Sequence, residues 1–304
     1  MEELRLITHP KRNWIGPFYA LIAAAGFSAK AIFIKSVYMH SRVDAVTLLA
    51  LRMLFALPFF LWMAWFSGRG NSAVARRDWL TLVWLGFLGY YFASLLDFLG
   101  LQYISAALER LILFLYPTIV MVLAVVMYGK TVNGREVLAL LLSFSGIAAV
   151  FVSDLRLSET PRALWIGGAL VFASSTAYAF YLVGSNSLIQ RLGAMRFTGV
   201  AASISAVFVL GQFLATRPVA ALWIPSAMYG RVLGLAVVST ALPIWMTSEA
   251  IRRAGPSRVA IIGSAGPILT IWMGGLFLDE PVTAITMLGA FLVLGGVMLV
   301  TKPG

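Results

Sequence analysis

Long apolar runs are the feature that most constrains this chain. Ten stretches of roughly twenty mostly apolar residues follow one another along the 304-residue sequence, separated by short polar segments. A bilayer core about 30 Å thick needs roughly 20 residues of helix to cross it, so the pattern predicts ten transmembrane helices and no sizeable soluble domain. The predicted spans are 14–39, 44–66, 79–101, 105–128, 135–153, 163–186, 194–216, 229–251, 257–278 and 282–301.

The composition of the chain supports a membrane protein. It is 61% hydrophobic and 12% charged, with a mean hydropathy of +0.91, whereas soluble domains are about half apolar and a quarter charged. The apolar runs lack the period-two alternation of outer-membrane β-barrels. The sequence therefore predicts an all-α integral membrane protein. Because the charged segment before the first span shows no small-residue cleavage site, the first helix is expected to be retained.

The residue types and motifs that the chain lacks exclude several functions. It has no cysteine and only two histidines, His9 and His40, so thiolate chemistry and histidine-built metal centres are not expected. The motifs HExxH, GxSxG and the phosphate-binding P-loop do not occur, and these motifs mark common hydrolases and nucleotide-binding proteins. We therefore predict no enzymatic activity, no cofactor, no metal site and no ATP hydrolysis by the chain itself.

The position of the basic residues indicates the orientation of the chain. A net charge of +11 is typical both of nucleic-acid-binding proteins and of membrane proteins with basic cytoplasmic loops. If successive loops are assigned to alternate sides, fourteen basic residues fall on the side of the N-terminus and five on the other. This bias predicts that both termini are cytoplasmic. The fourteen are Arg5, Lys11, Arg12, Arg69, Arg76, Arg77, Lys130, Arg135, Arg191, Arg196, Arg252, Arg253, Arg258 and Lys302, and the five are Arg42, Arg156, Arg162, Arg217 and Arg231.

The two halves of the chain match each other at a shift of about 150 residues. Because each half has five spans, an odd number, the second half must enter the membrane in the opposite orientation. Inverted repeats of this kind are typical of secondary transporters. We predict a first repeat over residues 1–153 and a second, inverted repeat over residues 154–304. The matching segments are 117–130 with 267–280, 146–150 with 296–300, and 14–16 with 165–167.

Two long stretches carry a resemblance to a known family. They are ISAALERLILFLYPTIVMVLAVVMYGKTVNGREVLALLLSFSGIAAVFVS and GPSRVAIIGSAGPILTIWMGGLFLDEPVTAITMLGAFLVLGGVMLV. Together with the ten spans, they resemble the drug/metabolite transporter superfamily, and most closely its bacterial inner-membrane exporters of aromatic amino acids. The resemblance implies a central cavity lined by spans 1–4 and 6–9, with spans 5 and 10 outside. The halves differ at one turn, where Gly129-Lys130-Thr131 stands opposite Asp279-Glu280-Pro281.

Charged residues inside the predicted spans are candidates for function, because charge in a membrane is costly. Either they form structural ion pairs, or they form a gate or a polar substrate site. Those of the first half include four basic and two acidic residues, and the spare positive charge would attract a substrate carboxylate. We single out Lys30 for that role, because it is the deepest basic residue on span 1 and no acid in that span neutralises it. The gating or ion-pair candidates are Lys35, Arg52, Asp97, Glu109, Arg110 and Glu249.

Aromatic and hydroxyl side chains away from the span ends complete the predicted site, although core packing is the more common role of any one such aromatic. The candidates beside Lys30 are Tyr90, Tyr91, Tyr178, Tyr181, Thr240, Trp245 and Trp272. Proline removes a backbone donor within a helix, and breaks at matching positions of two repeats point to a binding region. Membrane helices also tolerate proline in general, which is the competing interpretation. The predicted hinges are Pro117, Pro243, Pro267, Gly86, Gly89, Gly263 and Gly266.

These features predict a bacterial inner-membrane, multi-pass secondary transporter. Its expected activity is alternating-access export of amino acids, chiefly aromatic and other apolar or small neutral ones. The predicted partners are the amino-acid substrate and the lipid bilayer, with no nucleic acid and no obligate protein partner. Two alternatives remain open. One is efflux of lipophilic cations, which would need an accessible acid such as Asp97 or Glu249, and the other is a membrane enzyme or scaffold that transports nothing.

Overall fold

A computed structural model describes residues 14–67, 74–129, 131, 133–157 and 159–301. Every regular element in these ranges is helical. Some sequence features lie outside the described residues, namely His9, the C-terminal Gly304, and the basic residues Arg5, Lys11, Arg12, Arg69, Lys130 and Lys302.

Fourteen α-helices, two π-helical segments and one short 3₁₀ turn make up the described chain. In the first half they are α1 Ile15–His40, α2 Ala45–Phe66, α3 Arg76–Leu85, the first π segment Gly86–Phe92, α4 Ala93–Gly100, α5 Ala106–Leu113, α6 Tyr116–Tyr128 and α7 Gly134–Leu157. In the second half they are α8 Pro161–Leu192, α9 Ala194–Thr216, the 3₁₀ turn Val219–Leu222, α10 Ser226–Ala236, the second π segment Val237–Ala241, α11 Leu242–Ala254, α12 Pro256–Gly263, α13 Gly266–Phe277 and α14 Ala284–Thr301.

Eight helical spans within the described ranges are long and apolar enough to cross a membrane. They coincide with the first eight predicted spans, from Ile15–His40 to Ser226–Ala254. The last two predicted spans coincide with shorter apolar helices, Ile261–Phe277 and Ala284–Leu299. The predicted all-α membrane class is therefore confirmed, with eight rather than ten described helices of full spanning length.

Polar side chains fix where several helices begin. Asp44 precedes α2 and accepts hydrogen bonds from the backbone N–H groups of Val46 and Thr47 at 3.1 and 3.4 Å. At the start of α7, Glu136 and Asn133 each accept a hydrogen bond from the other's backbone N–H at 3.0 Å. These contacts satisfy N–H groups that have no acceptor within the helix. The helix starts are thus encoded locally, at the ends of the apolar runs.

Two helix breaks occur 150 residues apart. The first separates α5, which ends at Leu113, from α6, and the second separates α12, which ends at Gly263, from α13. Pro117 and Pro267 lie at the starts of α6 and α13. At that position the missing proline N–H would have had no intrahelical acceptor. The two predicted hinge prolines therefore coincide with real interruptions of the helix.

The two π segments lie at comparable places in the third and eighth predicted spans. The predicted hinge glycines Gly86 and Gly89 belong to the first segment. Pro243 lies in the first turn of α11, two residues after the second segment ends. Thr240 Oγ1 of the second π segment donates to the Leu235 carbonyl of the preceding turn at 2.8 Å. Short π segments inside α-helices often occur at functional sites.

Helices of one predicted half pack mainly against helices of the other. The main pairs are α1 with α11 and α13, α2 with α9, α4 with α8, α5 with α13, and α7 with α14. Small residues permit close approach at the last pair, because a Cβ placed on Gly146 of α7 would lie 2.7 Å from the Gly289 carbonyl oxygen of α14. The largest buried cluster is built from α1, α2, α9 and α10.

Candidate functional site

Lys30 of α1 lies between two carboxylates. Its Nζ is 2.7 Å from Asp97 Oδ2 on α4 and 3.2 Å from Glu109 Oε1 on α5. The Asp97 and Glu109 side chains are 4% and 0% exposed. The sequence predicted a free cation at Lys30, but two acids of the protein itself pair with it. They belong to neighbouring helices, so the absence of an acid in α1 gave no indication of them.

Arg52 of α2 is enclosed beside this group. Its Nη2 donates to Ser94 Oγ at 3.1 Å, and its guanidinium lies 4.8 Å from the centre of the Phe98 ring. The residue is 5% exposed. A guanidinium covered by an aromatic ring and a hydroxyl is held in place, so Arg52 contributes charge to the site without being accessible.

Arg110 of α5 differs from the other two cations. Within the part of the chain that the structure describes it makes no hydrogen bond and no ion pair, whereas Lys30 pairs with two acids and Arg52 donates to Ser94. The buried Nε atoms of Arg52 and Arg110 both have no partner there. The guanidinium lies 5.2 Å from the Phe114 ring, and a Cβ placed on Gly266 of α13 would lie 2.8 Å from Arg110 Nη2. Arg110 therefore reaches from the end of α5 to the second helix break.

A row of aromatic side chains continues from Arg110. The ring of Phe114 is 6.1 Å from that of Tyr116, which in turn is 5.4 Å from Tyr178 on α8. Tyr178 stacks on Tyr181 at 5.4 Å, and the Tyr181 hydroxyl donates to that of Tyr90 at 3.1 Å. The structure thus brings together three of the predicted site tyrosines, on the first π segment and α8, and adds a fourth at the first helix break.

The other predicted wall residues lie elsewhere. Tyr91 packs against Phe208 of α9, with ring centres 5.8 Å apart, and Thr240 is occupied by its backbone hydrogen bond in the second π segment. Trp245 packs against Tyr19 of α1, with ring centres 5.9 Å apart. Trp272, predicted to line the site, is instead 68% exposed on α13, and its large apolar surface would suit lipid.

Buried hydroxyl groups hold the broken helices against their neighbours. Ser28 of α1 donates to the Gly266 carbonyl at 3.0 Å, and Thr270 of α13 donates to the Ser28 carbonyl at 3.2 Å. Ser175 of α8 donates to the Leu113 carbonyl at the end of α5 at 3.0 Å. The Leu113 carbonyl lies at the C-terminal end of α5, where the helix supplies no further N–H group, so it needs such a partner in a medium without water. The breaks are therefore supported by α1 and α8, the helices that also carry Lys30 and the tyrosines.

The predicted hinge glycines have different surroundings. A Cβ on Gly86 would lie 2.7 Å from the Ala201 carbonyl oxygen of α9, and one on Gly89 would overlap the Tyr181 ring. The space beside Gly266 is occupied by Arg110, whereas a Cβ on Gly263 would have no neighbour within 4 Å. Three of the four glycines thus permit close contacts around the site, and Gly263 does not.

A second charged contact joins the two predicted halves nearer the end of α1. Lys35 Nζ donates to the Ile104 carbonyl at 2.7 Å and lies 3.2 Å from Glu280 Oε1. Glu280, in the turn before α14, also accepts hydrogen bonds from the backbone N–H groups of Ala106 and Ala107 at 2.9 and 3.4 Å. A carboxylate is favoured at a helix N-terminus. The acidic turn found only in the second half therefore caps α5, the helix that carries Glu109 and Arg110.

Glu249 takes no part in either group. It forms ion pairs with Arg252 and Arg253 of the same helix, at 2.5 and 2.6 Å. Sequence reasoning missed three contributors to the site: Tyr116, Ser94 and Glu280. Tyr116 could have been found from its place directly before Pro117, whereas the reach of Glu280 to α5 depends on tertiary packing.

Comparisons with known proteins agree with this architecture. The sequence profile of the EamA-like transporter family matches residues 14–152 and again residues 165–302. The chain is 33% identical over 299 residues to YcbK of Bacillus subtilis (strain 168), an uncharacterized transporter, covering 94% of this chain and 91% of that protein. It is 24% identical over 291 residues to YicL of Salmonella typhimurium (strain LT2), an uncharacterized inner membrane transporter, covering 94% and 95%.

A solved crystal structure shares the fold. It matches with a TM-score of 0.64 at 16% sequence identity, covering 93% of this chain and 95% of that chain. The two matches of one family profile together include most of the sequence, and the relatives align over nearly their whole length. The chain belongs to the EamA-like transporter family.

Proposed function

We propose that this protein is a ten-span secondary transporter that exports amino acids and similar amphiphilic metabolites across the bacterial inner membrane. The observation that carries the proposal is the convergence of Lys30, Arg110 and the tyrosine row at two helix breaks. Intramembrane charges, discontinuous helices and aromatic walls are the usual components of a transporter binding site.

The pattern of helix contacts supports an inverted repeat, with spans 1–5 equivalent to spans 6–10. If span 1 is equivalent to span 6 and span 3 to span 8, the contact between spans 1 and 8 should have a counterpart between spans 6 and 3. Both contacts occur, as α1 packs on α11 and α8 packs on α4. Three further contacts join equivalent spans directly: α2 with α9 (spans 2 and 7), α5 with α13 (spans 4 and 9) and α7 with α14 (spans 5 and 10). Two matches of one family profile, one in each half, support the same division at about residue 153. Two similar halves that exchange conformations would give alternating access.

The chemistry of the site favours a zwitterion with an apolar side chain. A spare cation attracts a carboxylate, and aromatic rings with hydroxyl groups offer an apolar wall with a few hydrogen bonds. Efflux of lipophilic cations would need an accessible acid. Asp97 is 3% exposed and paired with Lys30, and Glu249 pairs within its own helix, so both of the acids considered for that alternative are occupied.

Counterflow in proteoliposomes tests the proposed activity. Vesicles containing the purified protein and loaded with unlabelled phenylalanine or threonine should accumulate the labelled amino acid transiently above empty vesicles. No accumulation for any amino acid in a broad panel would contradict the proposed substrate class. The topology is tested separately with reporters fused after Gly304 and within the 67–78 loop. A reporter that is active only in the cytoplasm should be active at both positions, and one that is active only in the periplasm should be inactive at both.

A further inference from the structure

The charges around Lys30 do not balance. Five charged side chains gather on α1, α2, α4 and α5, and three of them are basic: Lys30, Arg52 and Arg110. The two acids, Asp97 and Glu109, both face Lys30. The group therefore has one more positive than negative charge in a region that a bilayer would surround.

A neighbouring charged contact does not remove this excess. Lys35 lies five residues beyond Lys30, or about 7 Å along the helix, and its ion pair is with Glu280 rather than with the group around Lys30. Asp154, at the end of α7, accepts a hydrogen bond from Ser105 at 3.2 Å. These carboxylates are bound at the start of α5, by Ser105, Ala106 and Ala107, and form no ion pair with Arg110.

Arg110 is the cation of this group that has no hydrogen-bond or ion-pair partner among the described residues. Arg52 is 5% exposed, hydrogen-bonded to Ser94 and covered by Phe98. Arg110 is only partly buried and, among the residues described, has no hydrogen-bond or ion-pair partner. An unpaired charge in a low-dielectric region is costly, and an anionic ligand would offset that cost.

The surroundings of Arg110 suit a carboxylate joined to an apolar group. The Arg110 guanidinium lies 5.2 Å from the Phe114 ring, and the rings of Tyr116 and Tyr178 follow at centre-to-centre distances of 6.1 and 5.4 Å. Both tyrosines are half-buried, and neither hydroxyl makes a hydrogen bond in the described ranges. Gly266, against which the guanidinium lies, begins α13, whose N-terminal end adds positive potential. The rings of Phe114 and the tyrosines supply the apolar surface beside these polar groups.

We propose that Arg110 binds the carboxylate of the transported substrate through both arms of its guanidinium, with the hydroxyls of Tyr116 and Tyr178 beside it. This inference rests on the proposed function and assigns its anion-binding group. Guanidinium matches a carboxylate in two parallel hydrogen bonds, which a lysine ammonium cannot reproduce. Selectivity for an amino acid over the amide that replaces its carboxylate by a neutral carboxamide then depends on this one residue.

The test compares L-phenylalanine with L-phenylalaninamide in the proteoliposome assay. In the wild-type protein the amide should compete at least tenfold more weakly than phenylalanine. Arg110→Gln should raise the KM for phenylalanine by on the order of tenfold or more, and the amide should then compete as well as the acid. Arg110→Lys should raise the KM less and keep the preference for the acid. Arg162→Gln, which removes an exposed arginine at the start of α8, is the matched control and should behave as wild type.

The outcomes separate the two proposals. A wild-type protein that transports no amino acid refutes the proposed function. A wild-type protein that transports phenylalanine, beside a folded Arg110→Gln protein with unchanged KM and unchanged acid-over-amide preference, refutes the role of Arg110 alone. If Arg110→Gln fails to fold, Arg110→Lys decides the question, because a folded lysine variant with the wild-type KM contradicts two-armed binding.

Discussion

The two halves of the molecule share their helix breaks but not their charges. Both halves have a break before a proline-started helix, 150 residues apart. At the same shift, the positions of Glu109 and Arg110 are occupied by Val259 and Ala260. The broken helix is thus a property that both halves retain, whereas the charged group is confined to the first half. The charged part of the site is therefore supplied by the first half, whereas Tyr178 and Gly266 of the second half lie beside it.

The largest expected effect compares Lys30 with Tyr181, which stand opposite each other at the 151-residue shift that matches 14–16 with 165–167. Lys30→Met leaves two buried carboxylates without their cation, and breaking a buried pair in this way costs about 3–5 kcal/mol of stability. Tyr181→Phe removes one hydrogen bond, to Tyr90, and should cost about 1 kcal/mol. The apparent melting temperature in detergent measures both.

A second substitution identifies the cause of the Lys30 effect. Asp97→Asn added to Lys30→Met should recover part of the lost stability, because it removes one of the two unpaired carboxylates. If Lys30→Met expressed normally with an unchanged melting temperature, the ion-pair arrangement would be refuted.

The next effect concerns the contact between the halves at Glu280. Glu280→Ala removes charge-assisted hydrogen bonds to the start of α5 and an ion pair with Lys35. Bonds of this kind contribute about 1.5–3 kcal/mol each, so the melting temperature should fall clearly. Asp279→Asn changes the adjacent, exposed carboxylate and should have little effect. Equal effects of the two substitutions would show that the Glu280 contact is unimportant.

Two glycines of the second half offer a matched test of the space beside Arg110. Gly266→Ala places a methyl group 2.8 Å from Arg110 Nη2, whereas Gly263→Ala meets nothing within 4 Å. Gly266→Ala should displace the guanidinium, cost about 1–3 kcal/mol through overpacking, and raise the KM for phenylalanine severalfold. Gly263→Ala should leave the KM unchanged. If the two variants had the same KM, Arg110 would not depend on the second half for its position.

The smallest effect concerns an exposed contact between the halves, Asp44 with Arg217 at 3.1 Å. Burial opposes ionisation of Asp44, but hydrogen bonds from Thr47 and Arg217 outweigh it and hold the pKa of Asp44 below its ordinary value. Its stabilising contribution is therefore complete at neutral pH and is lost as the pH falls through that lowered pKa. Asp44→Ala should cost about 1 kcal/mol at pH 7, and the difference from wild type should shrink in acid. A difference that grew in acid would reverse the sign of this argument.

Sequence periodicity predicted the helices well, because the length of an apolar run and the position of proline are local properties. The first eight spans and the breaks at Pro117 and Pro267 follow from them. Of the charged candidates named from the sequence, Lys30, Arg52, Asp97, Glu109 and Arg110 gather in the structure, whereas Lys35 and Glu249 pair elsewhere. Their partners could not be predicted, because Lys30 pairs with α4 and α5 and Glu280 reaches α5 from the far half of the sequence.

The same limit explains why the best candidate for carboxylate binding changes from Lys30 to Arg110. A count of charges along the sequence gave four basic and two acidic residues in the first half, whereas the group around Lys30 has three and two because Lys35 pairs with Glu280. Only the three-dimensional arrangement shows which of them the two acids neutralise. The face of the helix on which a side chain lies also had to come from the structure. Tyr178 and Tyr181 lie in the site, whereas Trp272 lies on the exposed face of α13.

Equilibrium competition on the purified wild-type protein tests most directly whether the site recognises a carboxylate. Labelled L-phenylalanine is bound to the protein in detergent and displaced with unlabelled L-phenylalanine, L-phenylalaninamide or phenethylamine. The excess positive charge around Arg110 predicts that phenylalanine displaces the label and that the two cationic amines fail at concentrations at least tenfold higher. Displacement by phenethylamine as effective as that by phenylalanine would contradict carboxylate recognition and favour a site for lipophilic cations.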